Sequence, residues 1–234
     1  MGTKHNPNPL RFEKALTFFK TWTPDMAYVV GLLYADGCIT TRFSDYWEVV
    51  LEMKDIDHLR KVAYTIDPKL RVRPYTRQDG RTSAKISTSV RQIVEDCVAL
   101  GLRPRKSLDI EWPAALPEAY EADFVRGYFD GDGCITWAIG QSKGHPYPSK
   151  QRSLDFSCGS PNFANTMSTV IQRNTTIEGR VRHLKNHSRL YYVNKEAIRT
   201  VGAWMYSASP LRLERKFEKW EETLLPWNKH AEVN

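Results

Sequence analysis

Two stretches of the chain predict helices, and the first carries apolar residues nearly all the way round, which predicts that it is buried. The first, 26–35, follows Thr23 and Pro24, a hydroxyl cap and a first-turn proline that together mark a helix start. The second, 117–131, plays the same part in the second half. A glycine stands just beyond each helix and is expected to end it.

The pattern after each buried helix changes to alternating apolar and polar positions and then back to a helical period. The first half is predicted to contain strands and helices in the order 38–43, 46–53, helix 56–66, 70–77, 82–88 and helix 90–100. The second half repeats this order as 134–139, 153–158, helix 162–173, 179–184, 188–193 and helix 196–206. Further helices near 10–20 and 210–225 flank the pair.

These elements predict an α+β fold with two pseudo-symmetric αββαββα halves. Each half should hold an antiparallel four-stranded sheet with helices on one face, and the two buried helices should pack together. The predicted organisation is an N-terminal extension, a first half, a linker, a second half, and a C-terminal helix and tail, at 1–22, 23–101, 102–116, 117–207 and 208–234.

An internal repeat supports this division. The sequence DGCIT at 36–40 recurs unchanged 96 residues later at 132–136, and the same offset maps Gly31 onto Gly127. A period of this length is too long for a solenoid and indicates a duplicated domain. A glycine inside a helix costs about 1 kcal/mol relative to alanine, so Gly31 and Gly127 require a structural reason.

Small residues recur at every fourth position of both helices, at Ala27, Gly31 and Ala35 and at Gly127 and Gly131. Such a stripe allows two helix backbones to approach closely. The approach would place the carboxylates of Asp36 and Asp132, at the ends of the two helices, side by side.

Two adjacent carboxylates repel each other, and a divalent cation relieves that repulsion. Magnesium prefers carboxylate oxygens, water and substrate phosphates, and the free carbonyls of Ala35 and Gly131 could add ligands. Pairs of such metals stabilise the attacking and leaving oxygens in phosphodiester hydrolysis. Alternatively, Asp36 and Asp132 are turn residues before glycine, but two identical occurrences after apolar helices favour a site.

These residues match a known family. VVGLLYADG (29–37) and VRGYFDGDG (125–133) resemble the paired LAGLIDADG motifs of homing endonucleases, and LERKF (213–217) resembles the family's closing segment. The resemblance runs from about residue 24 to 225. The chain departs from the pattern at Tyr34, where the first motif usually has an acid; the second motif keeps Asp130. That position is generally not the metal ligand.

The resemblance implies a monomeric, magnesium-dependent and site-specific double-strand DNA endonuclease. It implies saddle-shaped sheets over a long asymmetric DNA target, cleavage across the minor groove with short 3′ overhangs, and no obligate protein partner. The eighth motif residue binds metal in the family, which is Asp36 and Asp132 here; Mn²⁺ or Ca²⁺ could occupy the same sites. The family usually supplies a basic catalytic side chain from the sheet, for which Lys85 and its counterpart Arg189 are the candidates.

Basic side chains lie where the sheets would meet DNA. Arg71, Arg73, Tyr75 and Arg77 share one face of the third predicted strand, and Arg180 and Arg182 share a face in the second half. Arg42 and Lys54 are further candidates. The segment 140–152 carries Lys143, Lys150 and Arg152, and either wraps the DNA backbone or is a hairpin tip. An ordinary solvated sheet face is the alternative for all of them.

Composition adds limits to these predictions. The 234 residues include 34 Lys and Arg against 27 Asp and Glu, a net charge of +7, which favours polyanionic partners. Without a long apolar run or a secretory stretch, a soluble intracellular protein is expected and no membrane partner. The four cysteines form no CxxC pair, so neither a zinc site nor a disulfide framework is expected.

Two other functions remain open. A relative that has lost cleavage would act as an intron RNA maturase or a transcription regulator, although retention of both motif acids disfavours this. An intein-borne domain is the second possibility, but no splicing segments are visible at the ends of the sequence.

Overall fold

The computed structural model describes residues 12–43, 46–140, 144, 149–207 and 210–226. The first half contains α1 (Glu13–Phe18), α2 (Pro24–Ala35), β1 (Gly37–Phe43), β2 (Tyr46–Met53), α3 (Ile56–Ile66), β3 (Arg73–Thr76), β4 (Thr82–Thr88) and α4 (Arg91–Ala99). The second half contains α5 (Glu121–Asp132), β5 (Gly133–Gly140), β6 (Ser149–Cys158), α6 (Pro161–Thr175), β7 (Arg180–His183), β8 (Ser188–Tyr192), α7 (Lys195–Tyr206) and α8 (Glu214–Leu224).

The two sheets have the same topology. Their strand orders are β1-β2-β4-β3 and β5-β6-β8-β7, and all neighbouring strands are antiparallel. Each sheet buries one face, with Leu51 paired to Ile86 in the first and Phe156 paired to Leu190 in the second. The predicted fold of two pseudo-symmetric four-stranded halves is therefore confirmed.

Helices α2 and α5 pack directly against each other at their glycines. A Cβ added to Gly31 would lie 2.1 Å from the carbonyl oxygen of Phe124, and one added to Gly127 would lie 2.0 Å from that of Tyr28. Neither position has room for a side chain. The sequence indicated that Gly31 and Gly127 need a structural reason, because glycine is costly inside a helix. That reason is the close approach of the two helix backbones at these positions.

The glycines after the helices are also required by close packing, not by backbone conformation. Helix α2 begins with Thr23 accepting a hydrogen bond from the amide of Met26 (3.1 Å), as its cap sequence predicts, and ends at Ala35. Gly133 has a φ of −85°, which any residue can adopt. A Cβ on Gly37 would lie 2.6 Å from the oxygen of Leu33, and one on Gly133 would lie 2.5 Å from that of Phe129.

Several boundaries differ from those predicted. Helix α5 starts at Glu121, after a 3-10 turn at Glu118–Tyr120, and β3 is shorter than expected. Strands β5 and β6 extend into the segment predicted as a loop, because the ladder continues through the pair Ile139 and Lys150. No helix in the described part of the chain is long and apolar enough to cross a membrane.

Candidate metal centre and nucleic-acid interface

The two aspartates of the repeat stand at the carboxyl ends of the paired helices. Asp36 caps the C-terminus of α2, and Asp132 is the last residue of α5. A Cβ on Gly131 would lie 3.2 Å from Oδ2 of Asp36 and 2.4 Å from the Cβ of Ala35. The Asp36 carboxylate therefore lies against the end of the opposite helix, as the small-residue stripe predicts.

The surrounding protein disfavours the ionised form of both aspartates, Asp36 and Asp132. Solvent reaches both side chains. Nevertheless, desolvation by the surrounding protein, followed by the charge of Asp132, raises the pKa of Asp36 to about 6. Desolvation also raises the pKa of Asp132. This pair of crowded carboxylates is the environment in which a divalent cation is expected to bind.

Lys216, in the first turn of α8, binds the end of α5. Its ammonium lies 2.7 Å from the oxygen of Phe129, 2.8 Å from that of Asp130, 3.1 Å from that of Gly131 and 2.7 Å from that of Gly133. Burial lowers the pKa of Lys216 to about 8, and nearby carboxylates oppose that shift. The carbonyl of Gly131, a predicted metal ligand, is thus already an acceptor for this lysine.

Lys106 has the corresponding place in the first half. It starts a short 3-10 helix in the linker, is buried, and donates to the oxygen of Gly37 (2.5 Å). Burial lowers the pKa of Lys106, and the charge of Asp132 opposes this more than that of Asp36 does. Each lysine acts more strongly on the aspartate of the other half. Lys216 lowers the pKa of Asp36 more than Lys106 does, and Lys106 lowers the pKa of Asp132 more than Lys216 does.

Lys106 lies in the predicted linker (102–116) and Lys216 lies in LERKF (213–217), but no sequence pattern connects either lysine to the aspartates. The predicted catalytic groups Lys85 and Arg189 lie at equivalent places in the two sheets. Lys85 pairs with Glu52 across β2 and β4, and Arg189 pairs with Ser157 across β6 and β8. Neither is among the charges that shift the pKa of Asp36 or Asp132.

The described residues contain no group of three or more His, Cys, Asp or Glu side chains arranged to hold a metal ion. A cation at this centre would have two protein carboxylates and would complete its shell with carbonyl, water or phosphate oxygens. Magnesium tolerates such a shell because it usually keeps several waters and binds substrate phosphates. The donor set therefore fits a hard cation that is shared with a phosphate-bearing ligand.

The open face of the first sheet carries most of the basic residues predicted there. Arg73 and Tyr75 lie on it beside Lys85 and Ser83, while exposed Arg71, Arg77 and Lys54 lie just outside the strands. Arg77 forms an ion pair with Glu52, and the Tyr75 hydroxyl also donates to Glu52. The side chain of Arg42 lies outside the described residues.

The open face of the second sheet is arranged differently. Arg180 and Arg182 are exposed on it, opposite Tyr191 and Arg189. The Arg189 guanidinium lies 4.7 Å from the centre of the Tyr191 ring, and its Nε donates to Asp155 (2.5 Å). Asp155 is buried and also accepts from the hydroxyl of Ser153 (2.5 Å). Arg189 is therefore held in place on two sides.

Lys150 and Arg152 lie on the opposite face of this sheet. Lys150 stacks over Trp137, with its ammonium 4.3 Å from the ring centre, and donates to the oxygen of Glu222 (2.9 Å). Arg152 donates to the oxygen of Thr223 (2.5 Å). Both side chains thus bind the end of α8. Lys143 lies outside the described residues.

Comparison with known proteins places the fold. No protein-family model matches the sequence, and no curated protein matches it. Solved structures do: I-AabMI, a LAGLIDADG meganuclease bound to uncleaved DNA, has a TM-score of 0.60 at 10% identity, with 86% of this chain and 89% of that chain covered. The chain has the LAGLIDADG endonuclease fold.

Two further structures with this fold agree. The I-LtrWI LAGLIDADG homing endonuclease bound to target DNA has a TM-score of 0.59 at 14% identity, with 89% of both chains covered. I-SmaMI bound to an uncleaved DNA target in the presence of calcium ions has a TM-score of 0.59 at 9% identity, with 87% of this chain and 90% of that chain covered.

The residues two positions before the aspartates, Tyr34 and Asp130, form hydrogen bonds inside the protein. Asp130 is buried, and its Oδ2 accepts from the hydroxyl of Tyr28 (2.6 Å) and from the amide of Leu213 (2.7 Å). Burial raises the pKa of Asp130 to about 6. The hydroxyl of Tyr34, at the equivalent place, donates to the oxygen of Leu100 (2.6 Å). Both side chains are therefore bound by protein groups other than Asp36 and Asp132.

Proposed function

We propose that this chain is a site-specific double-strand DNA endonuclease of the homing type, which hydrolyses phosphodiester bonds with divalent cations held by Asp36 and Asp132. The observation that carries the proposal is the meeting of these two carboxylates at the ends of the interlocked helices α2 and α5. Each helix leads directly into the first strand of a sheet whose open face carries arginine or lysine.

Asp36 and Asp132 would hold magnesium together with phosphate oxygens of the DNA, and manganese or calcium would bind at the same positions. When bound, the cation supplies charge that activates water for attack and stabilises the leaving oxygen. The protein's own residues orient that centre. The carboxylates fix its position between the halves, while Lys106 and Lys216 keep two positive charges beside it without leaving the protein interior.

Recognition of DNA would rest on the two open sheet faces. The solved structures with this fold include complexes with uncleaved DNA and one with calcium, which supports a DNA substrate and a divalent cation for this chain. One chain supplies both halves, so we propose a monomer without an obligate protein partner. Because the two faces differ in sequence, the target would be long and asymmetric, and the protein would act inside the cell, where such DNA is found.

Individual DNA contacts are proposed for the side chains that the structure leaves on or beside the open faces, which are Lys54, Arg71, Arg73, Tyr75, Arg77, Arg180 and Arg182. Lys85 and Arg189 stay the predicted basic catalytic groups of the sheets, and the charges of Lys106 and Lys216 lower the pKa values of both carboxylates. For Lys150 and Arg152, support of α8 explains their contacts better than DNA binding does.

Cleavage of a plasmid library that carries randomised inserts tests this function. The wild-type protein should linearise a subset of plasmids in magnesium and none in EDTA. Asp36→Asn and Asp132→Asn should each slow cleavage by roughly a thousand-fold, since loss of a metal ligand removes several kcal/mol of transition-state stabilisation. Binding of the selected target in calcium should persist.

Asp57→Asn provides a matched control, because Asp57 is an exposed acid on α3 that pairs with the exposed Arg60. It should cleave like the wild type. If the protein binds a selected DNA or RNA tightly but never cuts it in magnesium, and the aspartate variants bind equally well, then a non-cleaving nucleic-acid binder such as a maturase or transcription regulator is the correct function.

A further inference from the structure

The departure of this chain from the usual motif, Tyr34 in place of an acid, has a structural partner in the segment that returns to it. Tyr34 is buried on α2, and its hydroxyl donates to the carbonyl of Leu100, the residue that ends α4. Gly101 follows with a φ of +94°, and a Cβ there would lie 2.3 Å from the Tyr34 hydroxyl. The chain is thus shaped to admit this hydroxyl.

Asp130 binds a returning segment in the second half in the same way, but with the opposite polarity. Its Oδ2 accepts from the amide of Leu213, the residue that begins α8. A carboxylate suits this place because the backbone group that it meets is a donor. In the first half the backbone group is a carbonyl, so the side chain must donate, which a tyrosine does and an ionised acid does not.

Both returning segments carry a lysine to the metal centre shortly afterwards. Leu213 is followed by Lys216, which donates to carbonyls on both sides of Asp132, including those of Gly131 and Gly133. Leu100 is followed by Lys106, which donates to the carbonyl next to Asp36, that of Gly37. In each half, a side chain of the motif helix therefore binds the backbone of the returning segment, and a lysine of that segment binds a carbonyl at or next to the end of the same helix.

We propose that Tyr34 and Asp130 are paired positioning residues, each of which fixes through one backbone hydrogen bond the segment that delivers a lysine to the metal centre. Tyr34 positions Lys106 and Asp130 positions Lys216. Tyrosine replaces the acid in the first half because the backbone group to be bound there is a carbonyl. This inference deepens the proposed endonuclease function and rests on it for its cleavage readout.

Pairs of variants that match each other in shape separate hydrogen bonding from packing. At Tyr34, glutamine can donate to the carbonyl of Leu100 whereas an ionised glutamate cannot, so Tyr34→Gln should outperform Tyr34→Glu at pH 8. At Asp130, asparagine can still accept from the amide of Leu213, so Asp130→Asn should outperform Asp130→Leu. Tyr192→Phe is the control for Tyr34→Phe, because the buried Tyr192 hydroxyl has no hydrogen-bond partner in the described structure.

The decisive measurement is the ratio of the cleavage rates of the two DNA strands, each labelled separately, in magnesium. A general loss of folding slows both strands equally. Displacement of one lysine should slow one strand more, so Tyr34→Phe and Asp130→Leu should shift the ratio in opposite directions, by roughly five- to tenfold, the factor that one hydrogen bond supplies. Tyr192→Phe should leave the ratio unchanged.

A second readout uses terbium(III) luminescence without DNA, which reports cation binding at the carboxylates even if the wild type cuts no DNA and the proposed function fails. Displaced ammonium groups repel the cation less, so Tyr34→Phe and Asp130→Leu should bind terbium several-fold more tightly than the wild type. If the strand ratio and the terbium affinity are unchanged, or Tyr34→Glu equals Tyr34→Gln, the positioning role is wrong.

Discussion

The two halves of the molecule are most alike at the interface between α2 and α5. They are less alike around the two aspartates, where a lysine supports each helix end. At the helix interface, Gly31 and Gly127 contact the opposite helix in the same way, with hypothetical Cβ atoms 2.1 and 2.0 Å from a carbonyl oxygen. Around the two aspartates the symmetry is weaker. Lys216 reaches four carbonyls, while Lys106 reaches one among the described residues.

This difference shows which features geometry requires to be the same in both halves. Two helices can bring their terminal carboxylates together only if both lack side chains at the crossing, so glycine is required twice. A lysine beside those carboxylates can arrive from different elements, a linker in one half and α8 in the other. Strict symmetry is therefore expected in the interface and not in the parts that support it.

The strongest test of this symmetry is substitution at the crossing. Gly31→Ala and Gly127→Ala should each destabilise the fold by at least about 4 kcal/mol, at the severe end of single substitutions, because the added methyl meets rigid backbone. Equilibrium urea unfolding measures the loss. The two effects should be similar in size.

Gly80→Ala is the control for those variants, since Gly80 has a φ of +80° in an exposed turn and nothing within 4 Å of its Cβ position. It should cost about 1 kcal/mol, from backbone conformation alone. If either interface variant costs as little as Gly80→Ala, the helices do not approach as closely as the structure has them.

The lysines should respond unequally to removal. Lys216→Met would leave four carbonyls without their cationic donor and should destabilise the fold by roughly 2–4 kcal/mol. Lys106→Met would leave one and should cost about 1 kcal/mol. Thermal unfolding in EDTA, without DNA, measures both. Equal losses would mean that the two lysines are equivalent supports.

Much of this asymmetry could not be predicted from the sequence, whereas the symmetric part could. The repeated DGCIT and the two helical glycines predicted the helix pair and the meeting of Asp36 with Asp132, and the alternation of apolar and polar positions predicted the two sheets. These features follow from short-range patterns and from one duplication. Alternation also predicted the open-face positions of Arg73 and Tyr75, because strand neighbours repeat with a period of two.

The lysines beside the aspartates depend on long-range contacts that no local pattern reports. Lys216 lies 84 residues after Asp132, and Lys106 lies 70 residues after Asp36. Lys85 and Arg189 are the candidates because the family resemblance implies a basic side chain from the sheet, but that resemblance does not specify how far along the sheet the side chain lies. Lys150 and Arg152 were assigned to a loop, and only the fold shows that their strand turns them towards α8.

The open faces should divide the work of DNA recognition between them. Arg189 is held by Asp155 and stacked on Tyr191, so its remaining donors are fixed in space, as bidentate recognition of guanine requires. Arg189→Ala should cost about 1–3 kcal/mol at one base pair and relax the preference there. Asp155→Asn should produce the same pattern more weakly.

Lys85, at the equivalent position of the first sheet, should behave as a phosphate contact. Lys85→Met should weaken binding to all sequences alike and reduce the salt dependence of log Kd by about one. Binding of the selected target and of its single-base variants, across a salt series in calcium, separates the two behaviours. A sequence preference lost in Lys85→Met but kept in Arg189→Ala would reverse the assignment.

The smallest expected effect concerns the carboxylates without a cation. The pKa of Asp36 is raised to about 6 in the fold, above its ordinary value near 3.8, so between these values the folded chain binds more protons than the unfolded chain. This contribution to stability therefore falls as pH rises through the window and is fully lost above about pH 6. Asp36→Asn removes the group, and in EDTA it should raise the Tm slightly at pH 7.5 and leave it unchanged near pH 3.5.

Calcium should abolish the advantage of that variant at pH 7.5, because the cation neutralises the repulsion that the substitution relieves. Differential scanning calorimetry at the two pH values, with and without calcium, gives all four comparisons. A Tm of Asp36→Asn below that of the wild type in EDTA at pH 7.5 would mean that the aspartates do not crowd each other. The symmetric meeting of the two halves at these carboxylates would then lose its electrostatic consequence.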